Sequence, residues 1–462
     1  MNTEYLEKLG IPRGSAMNVA KELVKDCFDH GDSPESVKAR LRGIVDDPES
    51  VKGKGLEARL ASWLIQLDYT PREAPAPYFQ WGKDLEAQSV QQMANACDLP
   101  VAEQGALMPD AHVGYGLPIG GVLATNNAVI PYAVGVDIAC RMKLSVLDIP
   151  LQKLKGDQGH GRLTGAINTE TRFGIGASFK EKRLHDVLDA DWSVSPITKD
   201  NKDKAWKQLG TSGSGNHFVE FGEIELKDDS LGLEPGVYVA LLSHSGSRGT
   251  GANVAAHYSK LAQAAHPELP QELRHLAWLD MDSEAGQEYW AAMELMGEYA
   301  AANHACIHKH VSENLGVEVL LDVENHHNFA WKERHNGKEV VVHRKGATPA
   351  GEGVLGVIPG SMASPAYVVR GKGDANSLNS ASHGAGRVMS RKKAMKSLNW
   401  QTARELLTER GVTLLSAGLD EVPFVYKDID EVMSLQSDLV DPVARFFPRL
   451  VKMAPAGERP ED

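Results

Sequence analysis

"GVYVALLSHSGSRGTG", residues 236–251, changes character at its midpoint. Val237 to Leu242 is a run of β-branched, aromatic and aliphatic side chains, the composition of a buried strand. The strand reading runs through His244, "GVYVALLSH" (236–244), and from Ser245 the chain turns to Ser, Gly and Thr, with Arg248 among them, the composition of a loop. The stretch therefore reads as a strand that delivers a histidine to a glycine-rich loop.

The same texture recurs outward from it. "GVLATNNAVI" (121–130), "RMKLSVLDI" (141–149) and "VEVLLDV" (317–323) read as strands between Gly-rich loops. Residues 283–315 predict one long helix, acidic at its start and stopped by Gly316. Residues 1–72 differ. "SAMNVAKELVKDCFDHG" (15–31) and "SPESVKARLRGIV" (33–45) start on serine and place apolar residues three and four apart, which predicts helices. "PREAPAP" (71–77) is a joint that no helix crosses. The expected layout is an N-terminal helical extension over 1–72, a body over 78–455 and a frayed tail over 456–462. Strands and helices do not alternate regularly, so the fold class expected is α+β with mixed sheets, not a doubly wound sheet.

Composition narrows the function classes. Hydrophobic residues are 42% and charged residues 24% of 462, ordinary for a globular protein. No apolar run approaches the roughly 18 residues of a membrane span, and the start, MNTEYLEKLG, does not resemble a secretory signal. The four cysteines are scattered and form no CxxC, which points to a reducing, cytoplasmic setting. A net charge of −13 argues against non-specific coating of nucleic acid and leaves room for a local basic groove.

Histidines and carboxylates gather in glycine-rich stations beside the apolar runs. "MPDAHVGYG" (108–116) holds Asp110 and His112, and "GVDIACRMK" (135–143) holds Asp137 and Cys140. "GTSGSGNHFVEF" (210–221) holds Asn216, His217 and Glu220; "ENHHNFAWKE" (324–333) holds His326, His327 and Asn328. "VVHRKGATPA" (341–350) adds His343, Arg344 and Lys345, and "SHGAGR" (382–387) adds His383 and Arg387. Carboxylate, thiol and imidazole together make a ligand set for Mn, Zn or Fe. Singly, each has a structural alternative: a hydrogen-bonded strand-end histidine, a buried small cysteine, a turn. "NHACIHKH" (303–310) has zinc-like spacing in His304, His308 and His310, but it lies near the end of the long helix, where cationic side chains also favour the macrodipole. Two nucleotide motifs are excluded. "GEGVLG" (351–356) is followed by Pro359, so no helix opens there as a dinucleotide site needs, and no GxxxxGK[ST] occurs.

The ordered stations resemble the RtcB family of RNA ligases over roughly residues 80–455. The matching stretches are "LMPDAHVGYGLPIGG", "GVDIAC", "GSGNHFVE", "HSGSRG", "HHN", "HRKGAT", "IPGSM", "SHGAGRVMSR" and "YKDIDEV". The resemblance implies sheets and helices around a central metal cleft, and a cytoplasmic enzyme of RNA repair and tRNA splicing. It implies GTP and two Mn ions as cofactors. The RNA partners carry a 2′,3′-cyclic phosphate or 3′-phosphate at one end and a 5′-hydroxyl at the other, and DNA and membranes are not expected. Some family members use a small accessory protein. His383 stands at the position of the guanylylated nucleophile. Asp137, Cys140, His217, His244 and His327 match metal ligands, with Cys140 bridging. Asn216, His217, Phe218, Val219, Glu220, His327, Asn328, Pro359, Gly360, Ser361, Met362, His383, Gly384, Ala385 and Gly386 match nucleotide contacts, and Tyr426 and Lys452 match guanine contacts. Asp110, Arg248, Arg344 and Arg387 are candidates for RNA or phosphate contact, while Lys392, Lys393 and Lys396 equally suit a solvated basic face. The chain departs from the family at "GSMASPA", where Ala366 stands in place of a nucleotide-contacting serine, and continues ten residues past Lys452. Two other readings use the same cleft: a metal-dependent phosphoesterase acting on RNA ends, which needs no His383, and a non-catalytic sensor of RNA ends or nucleotide.

Overall fold

In the computed structural model, which describes residues 1–11, 15–53, 55–64, 72–154 and 157–458, the apolar run at 237–242 lies inside the strand Gly236–Ser245. That strand is internal to an eight-stranded sheet. The order is Leu355–Ile358, Ala366–Gly371, Val440–Met453, Phe218–Leu226, Gly236–Ser245, Arg141–Leu147 and Val319–His326, all antiparallel, with Thr413–Ser416 pairing parallel to Val440–Met453.

Strand alternation gives this sheet two apolar faces. One carries Met142, Leu144, Ala240, Leu242, Ile224 and Phe446. The other carries Val219, Phe221, Val239 and Leu241 and packs on Ile307, Val311 and Leu315 of the helix Glu284–Leu315. Burying each such aliphatic side chain contributes about 1.5–3 kcal/mol. The helix begins where the sequence predicts: the Ser283 side chain accepts from the Gly286 N–H, and Gly316 ends it in the left-handed conformation at φ 64°. A second sheet runs Tyr78–Gln80, Ala102–His112, Ile119–Thr125, Lys338–Lys345 and Asn328–His335. The class is α+β, as expected. No described helix is long and apolar enough to cross a membrane.

The chain forms two compact units, Met1–Thr70 with Ala264–Gln271 and Pro71–Gln263 with Glu272–Asp462. The first contains the helices Thr3–Lys8, Ser15–Asp29, Pro34–Asp46 and Leu56–Leu64 around Leu6, Leu23, Leu41 and Leu60. Ser33 caps the third by accepting from the Ser36 N–H, with Pro34 in its first turn. Ala264–Gln271 is a segment that the sequence reading leaves in the body. Residues 65–70 of the helical extension, Pro71 of the joint and 459–462 of the tail lie outside the described residues.

Candidate active site

Strand register gathers the distant stations at one end of the eight-stranded sheet. Met142 stands opposite His244 on one side and Asn325 on the other. Residues two apart share a face, so Cys140 and His327, just beyond these strand ends, join His244 there. The His327 N–H donates to the Cys140 carbonyl at 2.9 Å. Cys140 Sγ lies 3.1 Å from His244 Nε2 and 3.5 Å from His217 Nε2. His244 and His327 bring their Nε2 atoms to 3.2 Å, and His217 Nε2 is 3.1 Å from Asp137 Oδ2. Two groups result, Cys140–His244–His327 and Asp137–Cys140–His217, with the ligand atoms of each within 4.8 Å and the cysteine common to both.

The donors fit a divalent cation. The Asn216 carbonyl accepts from His244 Nδ1 at 3.2 Å, so Nε2 presents its lone pair to the thiol and the third imidazole. Burial, reinforced by the neighbouring imidazoles, pushes His244 down to about 3 and His327 well below the usual range, which keeps both in the neutral, ligating form. Burial would raise the Asp137 carboxyl, but hydrogen bonds from His217 and Cys140 outweigh it and hold the group below its ordinary value. Gly246 of "HSGSRG" admits this carboxylate, since a Cβ there would meet Asp137 Oδ1 at 2.1 Å.

His383 stands beside the cluster, its ring centroid 5.0 Å from that of His327. Asp110 Oδ2 accepts from His383 Nδ1 at 2.8 Å and from the backbone N–H groups of His383 and Gly384 at 3.1 and 3.3 Å. A carboxylate can only accept, so the proton sits on Nδ1 and the lone pair on Nε2. Burial favours protonated Asp110, yet the His383 hydrogen bond, with the Lys427 charge nearby, outweighs it and keeps the carboxyl below its usual range. Gly386 is required here: its φ is +73°, and a Cβ would strike the Asp110 carbonyl at 2.1 Å. This corrects the expectation for Asp110, which is wholly buried beneath His383 and does not face an RNA phosphate.

A cleft of about 840 Å³ opens in front of His383. Asn216, Phe218, Glu220, Pro359, Gly360, Ser361, Met362, Gly384, Ala385, Gly386 and Tyr426 line it, together with Ser364 and Ala366. Asp137, Cys140, His217, His327 and Asn328 line the adjoining chamber, and His383 and Arg387 border both. Val219 and Lys452 line neither, which strand parity explains. Val219 pairs with Lys452, while Glu220 pairs with Val451 and Phe218 with Met453. Glu220, Phe218, Val451 and Met453 face the cleft, so the Lys452 side chain points to the opposite face, donating to Asn168 Oδ1 at 2.6 Å over the Phe173 ring. Lys452 is thus not a guanine contact in this arrangement. Arg344 is also displaced from its expected role: it is buried, paired with Glu333 at 2.6 Å and donating to Ser380 and Leu378. Arg248 is buried too, donating to Thr211 Oγ1 and the Gly174 carbonyl, and its charge acts on Asp137 from inside. Of the candidates for phosphate contact, only Arg387 reaches the cleft walls.

Burial alone raises the Glu220 carboxyl well above its usual range. Sequence reasoning missed Glu421, a buried carboxylate in the cleft wall that pairs with Arg387 and Arg391 and accepts from the Tyr426 hydroxyl. Its stretch "GLDEV" carries no motif, and only its apolar flanks hinted at burial. Arg391 ends the matched stretch "SHGAGRVMSR", within a basic run able to hold RNA phosphates, but had no individual role assigned from the sequence. His304 and His308 are core histidines. Their ring nitrogens meet Ser243 Oγ at 2.7 and 2.8 Å, Ser245 O at 3.1 Å and Ser145 Oγ at 2.6 Å. Burial keeps both well below the usual imidazole range, so neither offers charge to the helix end. His310 faces Glu313 on the same helix at 3.6 Å.

Comparison with known proteins extends this geometry to a family. A family model described as tRNA-splicing ligase RtcB matches residues 92–197 and 189–453. The RNA-splicing ligase RtcB of Escherichia coli (strain K12) is 33% identical, covering 80% of this chain and 95% of its own length. The tRNA-splicing ligase RtcB of Archaeoglobus fulgidus is 31% identical over 81% of this chain and 93% of its own, and the RNA-splicing ligase RtcB of Mycobacterium bovis is 32% identical over 77% and 98%. With the matched span covering both cleft walls, the donor cluster and His383, the chain belongs to the RtcB family.

Proposed function

We propose that this protein is a GTP- and Mn-dependent ligase that joins an RNA 3′-phosphate, or a 2′,3′-cyclic phosphate opened by water, to a 5′-hydroxyl. The observation that carries this reading is the Asp110–His383 pair, an imidazole with its Nε2 lone pair freed toward the cleft, set beside five candidate metal-ligand side chains, four of them buried. A phosphoesterase or a sensor needs no such pair.

Asp137, Cys140, His217, His244 and His327 would hold two Mn ions, with the Cys140 thiolate common to both. Bound there, divalent ions supply charge neutralisation and orientation at the transferring phosphoryl group. His383 Nε2 attacks the α-phosphorus of GTP; an N–P bond forms and pyrophosphate leaves. Asp110 offsets the positive charge that develops on the imidazole. An oxygen of the RNA 3′-phosphate then takes the phosphorus, the N–P bond breaks, and His383 is regenerated. The 5′-hydroxyl attacks the activated 3′-phosphorus, forming the phosphodiester and releasing GMP. Gly384 and Gly386 allow backbone N–H groups near the phosphates, and Arg387 adds charge. Tyr426 stacks on the guanine and Glu220 reads its edge. Ala366 removes one hydroxyl from this cleft, leaving those of Ser361 and Ser364, which lie 3.0 Å apart.

The test is incubation with α-labelled GTP and Mn, then a denaturing gel. The expected result is a covalent label that is acid-labile, base-stable and absent in His383→Ala. Label that survives this substitution removes His383 as nucleophile, and processed RNA without any labelled protein favours the phosphoesterase.

A further inference from the structure

The chamber adjoining the nucleotide cleft, about 1560 Å³ with its open mouth, is lined by two large exposed hydrophobic side chains that the proposed transfer does not use. These are Tyr115 and Val388, and they are 63% and 53% exposed. Both share this chamber with Asp137, Cys140, His327 and His383.

Tyr115 is exposed on a rigid support. It sits between the strands Ala102–His112 and Ile119–Thr125, on the loop that follows Asp110. Its carbonyl accepts from Lys345 Nζ. Next to it, the Gly114 N–H donates to Gln92 Oε1 at 3.0 Å, and Gln92 Nε2 donates back to the Gly114 carbonyl at 2.6 Å. The ring meets His275 edge-on, with centroids 5.8 Å apart and planes at 70°. The backbone is held while most of the ring remains open. An aromatic ring normally buries much of its surface, and a fixed, uncovered one beside a phosphate-handling site has the form of a stacking platform.

We propose that Tyr115 stacks against the unpaired terminal base of an RNA end whose phosphate or hydroxyl reacts at the His383 cluster; the proposal rests on the ligase reading above. Val388 supplies further apolar surface in the same chamber. The ligand class is a flat nucleobase at a strand end, from either the 3′-phosphate or the 5′-hydroxyl strand.

The experiment separates these two sources. Two labelled single-stranded RNAs, one ending in a 3′-phosphate and one beginning with a 5′-hydroxyl, are each made with the terminal base and with an abasic terminal sugar. Binding to the full chain is followed by fluorescence anisotropy. Base–aromatic stacking is worth a factor of about 5 to 150 in affinity. The wild type should prefer the base-bearing form by such a factor in at least one arm, and that arm identifies the strand. Tyr115→Ala should abolish the preference and Tyr115→Phe should retain it. The proposal is overturned if the wild type shows no preference in either arm, if Tyr115→Ala keeps it, if Tyr115→Ala weakens base-bearing and abasic ends equally, or if Tyr115→Phe loses it. Failure of the wild type to take covalent label from GTP defeats the ligase reading separately, whatever these ratios are.

Discussion

Replacing Asp110 with asparagine isolates the charge behind His383. Oδ2 of Asp110 takes three N–H bonds, from His383 Nδ1 and from the backbones of His383 and Gly384, so the amide oxygen of asparagine is drawn to that position. The His383 tautomer is then preserved, with the lone pair still on Nε2. The amide nitrogen falls where Oδ1 is buried without a hydrogen-bond partner among the described residues. Leaving a buried N–H unsatisfied costs about 1–3 kcal/mol of stability. What is lost chemically is the negative charge facing an imidazole that becomes cationic as the N–P bond forms. A hydrogen bond to a charged group is worth about 1.5–3 kcal/mol against about 1 for a neutral one. A loss of about 1–2 kcal/mol in the transition state is a fall of roughly five- to thirtyfold in the labelling rate. The assay is single-turnover self-labelling at saturating GTP. The stability effect should also depend on pH. The Asp110 carboxyl is held below its ordinary value, so its contribution is present above about pH 4, the unfolded value, and is lost as pH falls through the lower folded value. Wild-type labelling kinetics in Asp110→Asn would refute the role given to this pair.

The other predictions concern the ligands, the core histidines, the base pocket and the last strand. Cys140→Ala should abolish ligation and lower bound Mn, as measured by elemental analysis; undiminished metal rules out the shared ligand. His308→Ala should leave metal content unchanged while lowering stability by about 0.5–1.5 kcal/mol for each of its two serine hydrogen bonds, and lost metal would overturn its core role. Glu220→Gln should be more stable than the wild type near pH 8, with the difference vanishing toward pH 4. A carboxyl whose folded value is raised loses stability as pH climbs from the unfolded toward the folded value, and thermal midpoints that run in parallel across this range would contradict it. Lys452→Ala should change the GTP concentration for half-maximal labelling by less than about fivefold, the scale of about 1 kcal/mol; a tenfold change would place Lys452 in the pocket after all.

Local chemistry determined a good deal of this protein from the sequence alone. Ser283 and Gly316 bound the long helix because a cap and a left-handed stop act within one turn of chain. The apolar runs became strands because composition biases each segment independently of the rest, but the strands extend into several stations, taking in Asp110, His244 and His343 to Lys345, and Arg248 opens a helix. The ordered motifs were enough to bring His383 and the five ligands under suspicion together. Tertiary structure decided which side chains share a space. A shift of one residue moves a side chain to the other face of a sheet, so the register of Val440–Met453 against Phe218–Leu226 turned Lys452 away while admitting Val451 and Met453. Asp110, a candidate for phosphate contact in the sequence, is closed over by a residue 273 positions away. Arg344 was taken by Glu333 across a strand pair, and Glu421 entered the cleft with no motif to announce it. Periodicity and capping are written into neighbouring residues. Burial, charge pairing and the aim of the His383 imidazole depend on contacts across hundreds of residues, which exist only once the chain has closed.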